Sequence, residues 1–215
     1  MISTLSTLLA SPIPIPRAAL VSALGGYRQP NDKISVLLTS GVLLGLKRGV
    51  YVSSRAVVQY GAQSLIKLAA NTLYGPSYLS GIFALAHYGL IPERVHHATA
   101  MTTRRAKCYQ TPIGAVRYAQ CPNDWFSVGL CLQTDAAGTS LFASPEKALC
   151  DHLIYTPSLG IHSFKSMQAY LFEDLRCDEL AMQQLDASAV LACMAAARPL
   201  RLKLQQLEWL YACIR

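Results

Sequence analysis

Residues 40–52 read SGVLLGLKRGVYV, a short apolar stretch with Lys47-Arg48-Gly49 at its centre, and little besides a β-hairpin accommodates that pattern. A three-residue loop with Gly49 in the left-handed region opposes Leu46 to Val50 and Leu44 to Val52, which keeps four apolar residues on one face. A two-residue loop would set Lys47 against Val50 and mix charge into that row, so period-two alternation favours the longer loop. Two cations then project from the tip.

What precedes the hairpin gives it a context. RAALVSALGG (17–26) carries Ala18, Val21 and Leu24 at spacings of three and stops at Gly25-Gly26, as a short helix does. After YRQPND, with Asn31 as the expected N-cap, DKISVLLTSG (32–41) places Ile34, Leu37 and Leu38 on one helical face and ends at Gly41. Helix, Gly-containing turn, helix and then a two-stranded ribbon is the order of a winged helix-turn-helix. In that arrangement Lys47 and Arg48 ride on a wing against phosphates, while Arg28, Gln29, Asn31, Lys33 and Ser35 stand at the start of the recognition helix. Asp32 at the same helix start repels phosphate and limits how deeply that end enters a groove. Upstream, MISTLSTLLASPIPIPRAA reads as a short helix entering a proline-stiffened connector, without the basic n-region of a secretory signal.

Charge follows the same division. Residues 1–75 hold seven basic residues against one acid, whereas residues 76–215 carry a net charge of only +1 out of the total +7. A basic module joined to a nearly neutral one suits a nucleic-acid reader attached to a domain with another task. The longest uncharged apolar run, ASAVLACMAAA at 187–197, is far short of the roughly 20 residues of a membrane span, so no membrane partner is expected. Seven scattered cysteines without a C-x-x-C pair speak against a disulfide framework or a zinc ribbon and for a reduced, cytoplasmic setting. Cys177, Cys193 and Cys213 are expected to be buried apolar fillers of amphipathic helices.

A helix from about Val57 to Leu73 is expected to connect to a second domain beginning at Pro76, giving domains 1–75 and 76–215. There YLSGIFALAHYGLIPERV predicts a helix to about Tyr88. VHHATAMTT, CYQT, AVRYA, WFSVGLCLQ and TSLFA predict an antiparallel sheet. SPEKALCDHLIY predicts a helix with Ser144 as N-cap, Pro145 at its first position and Glu146 in its first turn. From Ile161 onward the pattern is helical, with Leu200, Leu204, Leu207, Tyr211 and Ile214 on one face of the last helix. The fold class expected is α+β: a winged helix-turn-helix, then a mixed domain with an antiparallel sheet flanked by helices and a helical C-terminus.

Catalytic motifs are weak. Cys150-Asp151-His152 are consecutive helical residues that point in different directions and cannot form a triad with one another. His96 and His97 on a strand face opposite ways and cannot share a metal. Gly75-x5-Gly81 lacks the Lys-Ser/Thr of a phosphate loop. Neither enzymatic activity, metal nor cofactor is expected.

The stretch YGPSYLSGIFALAHYGLIPERVHHATAMTTRRAKCYQTPIGAVRYAQ, followed by SPEKALCDHL and preceded by LLGLKRGVYV, resembles the antitoxins of the bacterial AbiE abortive-infection system, from about Arg17 to Tyr155. The joint occurrence of PSYLS, YGLIPE, TTRR and PEKAL carries the resemblance. It implies an N-terminal winged helix that represses its own operon at inverted repeats, as a homodimer on DNA, and a C-terminal domain that counteracts a nucleotidyltransferase-like toxin. Tyr78, Ser80, Arg104, Arg105, Glu146, Lys147 and Asp151 match the family's polar positions in that second domain, and Arg104-Arg105 are the pair expected to face an acidic partner. The alternative is a stand-alone winged-helix regulator with a ligand- or protein-sensing C-terminal domain. Nothing after Ile161 shares the resemblance.

Overall fold

The computed structural model describes residues 2–197 and 201–215. Helix α1 (Ile2–Ala10) leads through the proline-rich connector to β1 (Ile15–Pro16), α2 (Arg17–Ala23) and α3 (Pro30–Thr39). Pro30 presets the backbone of the first turn of α3, so Gln29 is the N-cap and Asn31, expected there, lies inside the helix. Ile15, Leu20, Leu24, Ile34 and Leu43 close a small core, with Leu37 and Leu38 against it. The buried side of α2 is therefore Leu20, Ala23 and Leu24; Ala18 of the expected stripe is exposed.

The hairpin forms as β2 (Leu43–Lys47) and β3 (Val50–Ser53), with β1 added to β3 as a third strand. Leu44 opposes Val52 as expected, but Lys47, not Leu46, opposes Val50. Arg48 and Gly49 alone make the turn, with Gly49 at φ 79°. A register shift between Gly45 and Lys47 makes this pairing workable: the extra residue turns Leu46 inward without bringing Lys47 into the buried row. Leu43 consequently enters the small core, while Leu46 and Val52 enter the larger one.

The single connector helix expected from Val57 is two helices, α4 (Ser54–Tyr60) and α5 (Ala62–Leu73), separated by Gly61. The Ser53 hydroxyl caps α4 by accepting from the Ala56 amide at 3.0 Å. Beyond them lie β4 (Ser77–Leu79), α6 (Gly81–His87), β5 (Ala98–Thr102), β6 (Lys107–Thr111), β7 (Gly114–Gln120), α7 (Asn123–Phe126), β8 (Leu130–Asp135), β9 (Gly138–Ala143) and α8 (Pro145–Tyr155). Tyr78 and Leu79, expected to open a helix, form a strand, and Trp125 and Phe126, expected in a strand, form a helical turn.

The α+β class holds, yet the six-stranded sheet is mixed rather than antiparallel. Its order is β6-β7-β5-β4-β9-β8, with β5 and β7 parallel, and β4 and β9 parallel. Only β6–β7 and β8–β9 are tight hairpins; β5 and β7 pair across the intervening β6, and β4 pairs with the distant β9, which alternation along one strand cannot announce. Helix α5 covers one face, where the Tyr118 and Ser77 hydroxyls both donate to the Ala70 carbonyl, at 2.6 and 3.2 Å. Tyr78 and Arg117, one residue along their strands, point to the opposite face, under α6 and α8. Helices α9 (Phe164–Ala169), α10 (Glu179–Gln183), α11 (Ala187–Ala196) and α12 (Arg201–Ile214), with a π-helical turn at Tyr170–Asp174, complete the chain. Leu207 and Leu210 are buried and Leu204, Tyr211 and Ile214 half-buried; Leu200 of the expected face lies outside the described residues.

Residue 75 does not separate the two cores. Leu65, Ile66, Leu68 and Leu73 of α5 are buried in the larger core, at about 1.5–3 kcal/mol each, a sum comparable with the whole stability of a domain. A fragment of residues 76–215 is accordingly expected to show no cooperative thermal transition, and one of residues 54–215 to melt cooperatively; calorimetry on the two checks this.

Candidate functional site

Four of the seven polar positions expected in the second domain come together inside the protein. Ser144 accepts from the Lys147 amide at 3.2 Å and Pro145 follows it, so α8 starts where the sequence places it. The i,i+4 spacing of Lys147 and Asp151 sets both on one side of α8. Tyr78 and Ser80, two residues apart at β4, face that side of the helix. Asp151 Oδ2 accepts from the Ser80 hydroxyl at 2.5 Å, and Oδ1 from Trp125 Nε1 at 2.5 Å and the Tyr78 hydroxyl at 3.4 Å. Lys147 Nζ lies 3.5 Å from Asp151 Oδ1, donates to the Trp125 carbonyl at 2.8 Å and sits 3.4 Å from the centroid of the indole ring. Gly129 passes so close that a Cβ there would stand 2.8 Å from Lys147 Cβ.

The Lys147 side chain is wholly buried and Asp151 is 1% exposed. Burial pushes the Asp151 carboxyl above its ordinary range and the Lys147 ammonium below its own, against the attraction of each for the other. Burial also raises the Tyr78 phenol, so it stays protonated and donates. The donors match a carboxylate: three approach Oδ1 and one approaches Oδ2. The cluster fastens β4, α7 and α8 together. Glu146 makes a second fastening: Oε2 accepts from the Ser144 hydroxyl at 2.8 Å and Oε1 from the Asp186 amide, at the start of α11, at 3.0 Å.

Cys150, Asp151 and His152 diverge as helical neighbours must. Cys150 meets Cys193 of α11, and His152 Nε2 meets the Tyr170 hydroxyl at 2.5 Å while Nδ1 meets Thr156 Oγ1 at 3.2 Å. Burial, with Lys203 nearby, lowers the His152 pKa to about 4. His96 and His97 lie in the connection before β5, not on the strand. Among the described residues no group of three or more His, Cys, Asp or Glu side chains is placed to hold a metal ion. Cys193 is buried in α11, Cys177 is buried in a loop and Cys213 is half-buried in α12.

Arg104 and Arg105 stand apart from this cluster, exposed on the β5–β6 connection. The Arg104 guanidinium lies 5.6 Å from the Tyr74 ring, and Lys107 Nζ lies 5.4 Å from Tyr74 and 4.8 Å from Tyr109. Strand β2 of the hairpin packs beside β6, so these cations neighbour the hairpin.

In the N-terminal part, Arg28, Gln29, Asn31, Ser35 and Arg48 are exposed. Lys33 Nζ rests 5.6 Å over the Tyr27 ring, and the Ser35 hydroxyl donates to the Asn31 carbonyl at 3.1 Å. Lys47 does not project from the tip: its ammonium donates to the Leu73 carbonyl at the end of α5, at 2.5 Å, where a cation complements the helix terminus. Trp125 and Arg17 take part through contacts that local sequence pattern does not announce. Trp125 was expected in a strand, and Arg17 donates through Nη2 to Asn31 Oδ1 at 2.8 Å and through its amide to the Gly49 carbonyl at 2.8 Å, joining α2, α3 and the turn. A basic residue directly after a proline-rich connector was the signal for Arg17; for Trp125 there was none.

No protein-family model matches the sequence, and no curated protein matches it. No helix among the described residues is long and apolar enough to cross a membrane.

Asp151→Asn strands the Lys147 ammonium and turns an amide N–H toward existing donors, so a loss of about 3–5 kcal/mol in urea unfolding is expected, much of it recovered in Asp151→Asn with Lys147→Met. His152, depressed in the folded chain, contributes stability fully present above pH 6.5 and lost as pH falls from there toward 4, on the order of 3 kcal/mol, with His87 and His97 acting in the same direction. Urea midpoints at pH 7.5 and 5 should therefore differ less in His152→Gln than in the unmodified chain.

Proposed function

We propose that this chain is a DNA-binding transcriptional repressor and antitoxin of a type IV, AbiE-like toxin-antitoxin system, acting in the cytoplasm and counteracting a nucleotidyltransferase-like toxin. The observation that carries the DNA-binding half is the order α2, α3, β2, β3 with β1 as third strand, the arrangement of a winged helix, in a segment of net charge +6. The exposed side of α3, with Asn31 and Ser35, is the surface for base edges, and Arg48 at the hairpin turn is the phosphate contact. Asn31 is shared between Arg17 and any base it reads, so Arg17 positions it. Two copies on an inverted repeat would place two such helices in successive major grooves.

The antitoxin half rests on the resemblance running from PSYLS to PEKAL, and on the way four of its polar positions support one buried cluster. Tyr78, Ser80, Lys147 and Asp151 build the domain; Arg104 and Arg105, exposed, offer the contact with an acidic toxin surface. A second reading, a stand-alone regulator with a ligand-sensing domain, is favoured by a cleft beside α5 and α6.

Anisotropy titrations on the chain's own promoter at several salt concentrations test the first half. Arg48→Ala should flatten the log–log salt slope by about one unit. Lys47→Ala should weaken binding with little change of slope, because its ammonium is held on the Leu73 carbonyl; affinity independent of salt would refute DNA binding. Co-expression with the neighbouring nucleotidyltransferase-like reading frame tests the second half: the full chain should restore growth, and Arg104→Ala with Arg105→Ala should not.

A further inference from the structure

A cleft of about 470 Å³ opens between α5, α6 and the connection at 93–96, away from the Tyr78–Asp151 cluster. Its size is that of small-molecule sites, and its composition is theirs too: an apolar floor with a few convergent polar groups. Phe83, Ala86 and Val95 make the floor. Lys67, His87, Arg94 and His96 stand around it, with the Gln63 amide at one side.

The charges there are unequally occupied. Lys67 is paired with Asp135 at 3.1 Å, a neutralised couple that still presents N–H donors. Glu93 is likewise committed: one oxygen is held by Arg176 and the other is shielded from solvent. Arg94 and His96 are exposed. Burial and the nearby Lys67 hold the His87 imidazole below its usual pKa, so it meets a ligand as a neutral hydrogen-bonding group. An anion satisfies Arg94 and the donors of Lys67 and His96. An apolar or aromatic body covers Phe83, Ala86 and Val95.

We infer that this cleft binds a small phosphorylated metabolite with an apolar or aromatic body, of the size of a nucleoside monophosphate. The inference goes beyond DNA binding and toxin neutralisation and does not rest on either. Its position gives it a route to the hairpin: Lys67 lines the cleft, and Leu73, six residues along the same helix, receives Lys47.

Isothermal titration of the full chain with AMP, GMP, CMP and UMP, and with inorganic phosphate, tests it. Saturable binding of at least one nucleotide tighter than about 1 mM is expected, with inorganic phosphate at least about tenfold weaker because it leaves the apolar floor uncovered. Arg94→Ala, an exposed change that should leave the melting temperature unaltered, should weaken that binding about tenfold or more, and Ala86→Leu should block it by filling the floor. Absence of saturable binding by all four nucleotides, equal binding of inorganic phosphate, or binding unaffected by both substitutions would overturn the inference.

Discussion

The buried Lys147–Asp151 pair is the interaction on which the larger core depends. Two charges taken out of water are tolerable only when their remaining hydrogen-bonding capacity is met, and here Ser80, Tyr78 and Trp125 meet it for the carboxylate while the Trp125 carbonyl and indole face meet it for the ammonium. The partners come from β4 and its end and from α7, while the pair itself is on α8, so satisfying it requires β4, α7 and α8 to stand in one relative position. Alternatives that shift any of them strand a charge. Gly129 belongs to the same constraint, since only a residue without a Cβ lets that segment lie against the lysine stem.

Helix α5 transmits order between the two halves of the chain. Its apolar side lies over the mixed sheet, its C-terminal carbonyl takes Lys47 from the hairpin, and Leu46 and Val52 of the hairpin enter the same core. The bulge in β2 makes this double attachment geometrically compatible, because it lets Leu43 and Leu46 serve different cores from one short strand. Hairpin and sheet are thereby joined by packing as well as by chain connectivity. Arg48, the proposed phosphate contact, directly follows β2, and the exposed Arg104–Lys107 segment leads into the neighbouring strand β6.

The polar positions that a family resemblance singles out divide by environment into two kinds. Tyr78, Ser80, Lys147 and Asp151 are tied to one another and to Trp125, and Glu146 to Ser144 and the start of α11. A residue in such a network is retained by the cost of leaving its partners unpaired, whatever the chain does. Arg104 and Arg105 carry no such obligation, since their guanidinium groups reach solvent. Exposure therefore points to those two, rather than to the cluster, as the positions available to a macromolecular partner.

The sequence by itself determined the features that depend on near neighbours in the chain. The α2–α3 pair, the hairpin, the Ser144-Pro145 start of α8 and the separation of Cys150, Asp151 and His152 all follow from periodicity, caps and turn chemistry within a dozen residues. The local rules failed where a distant contact outweighed them. Alternation favoured a three-residue turn, but burying Leu43 and Leu46 in separate cores required a bulge and a two-residue one. A lysine beside a basic turn reads as solvent-facing until α5 supplies a carbonyl to receive it. Tyr78, Ser80, Trp125 and Asp151 are separated by up to 73 residues along the chain, and only the parallel pairing of β4 with β9, set by tertiary packing, brings α8 over β4 and closes their network.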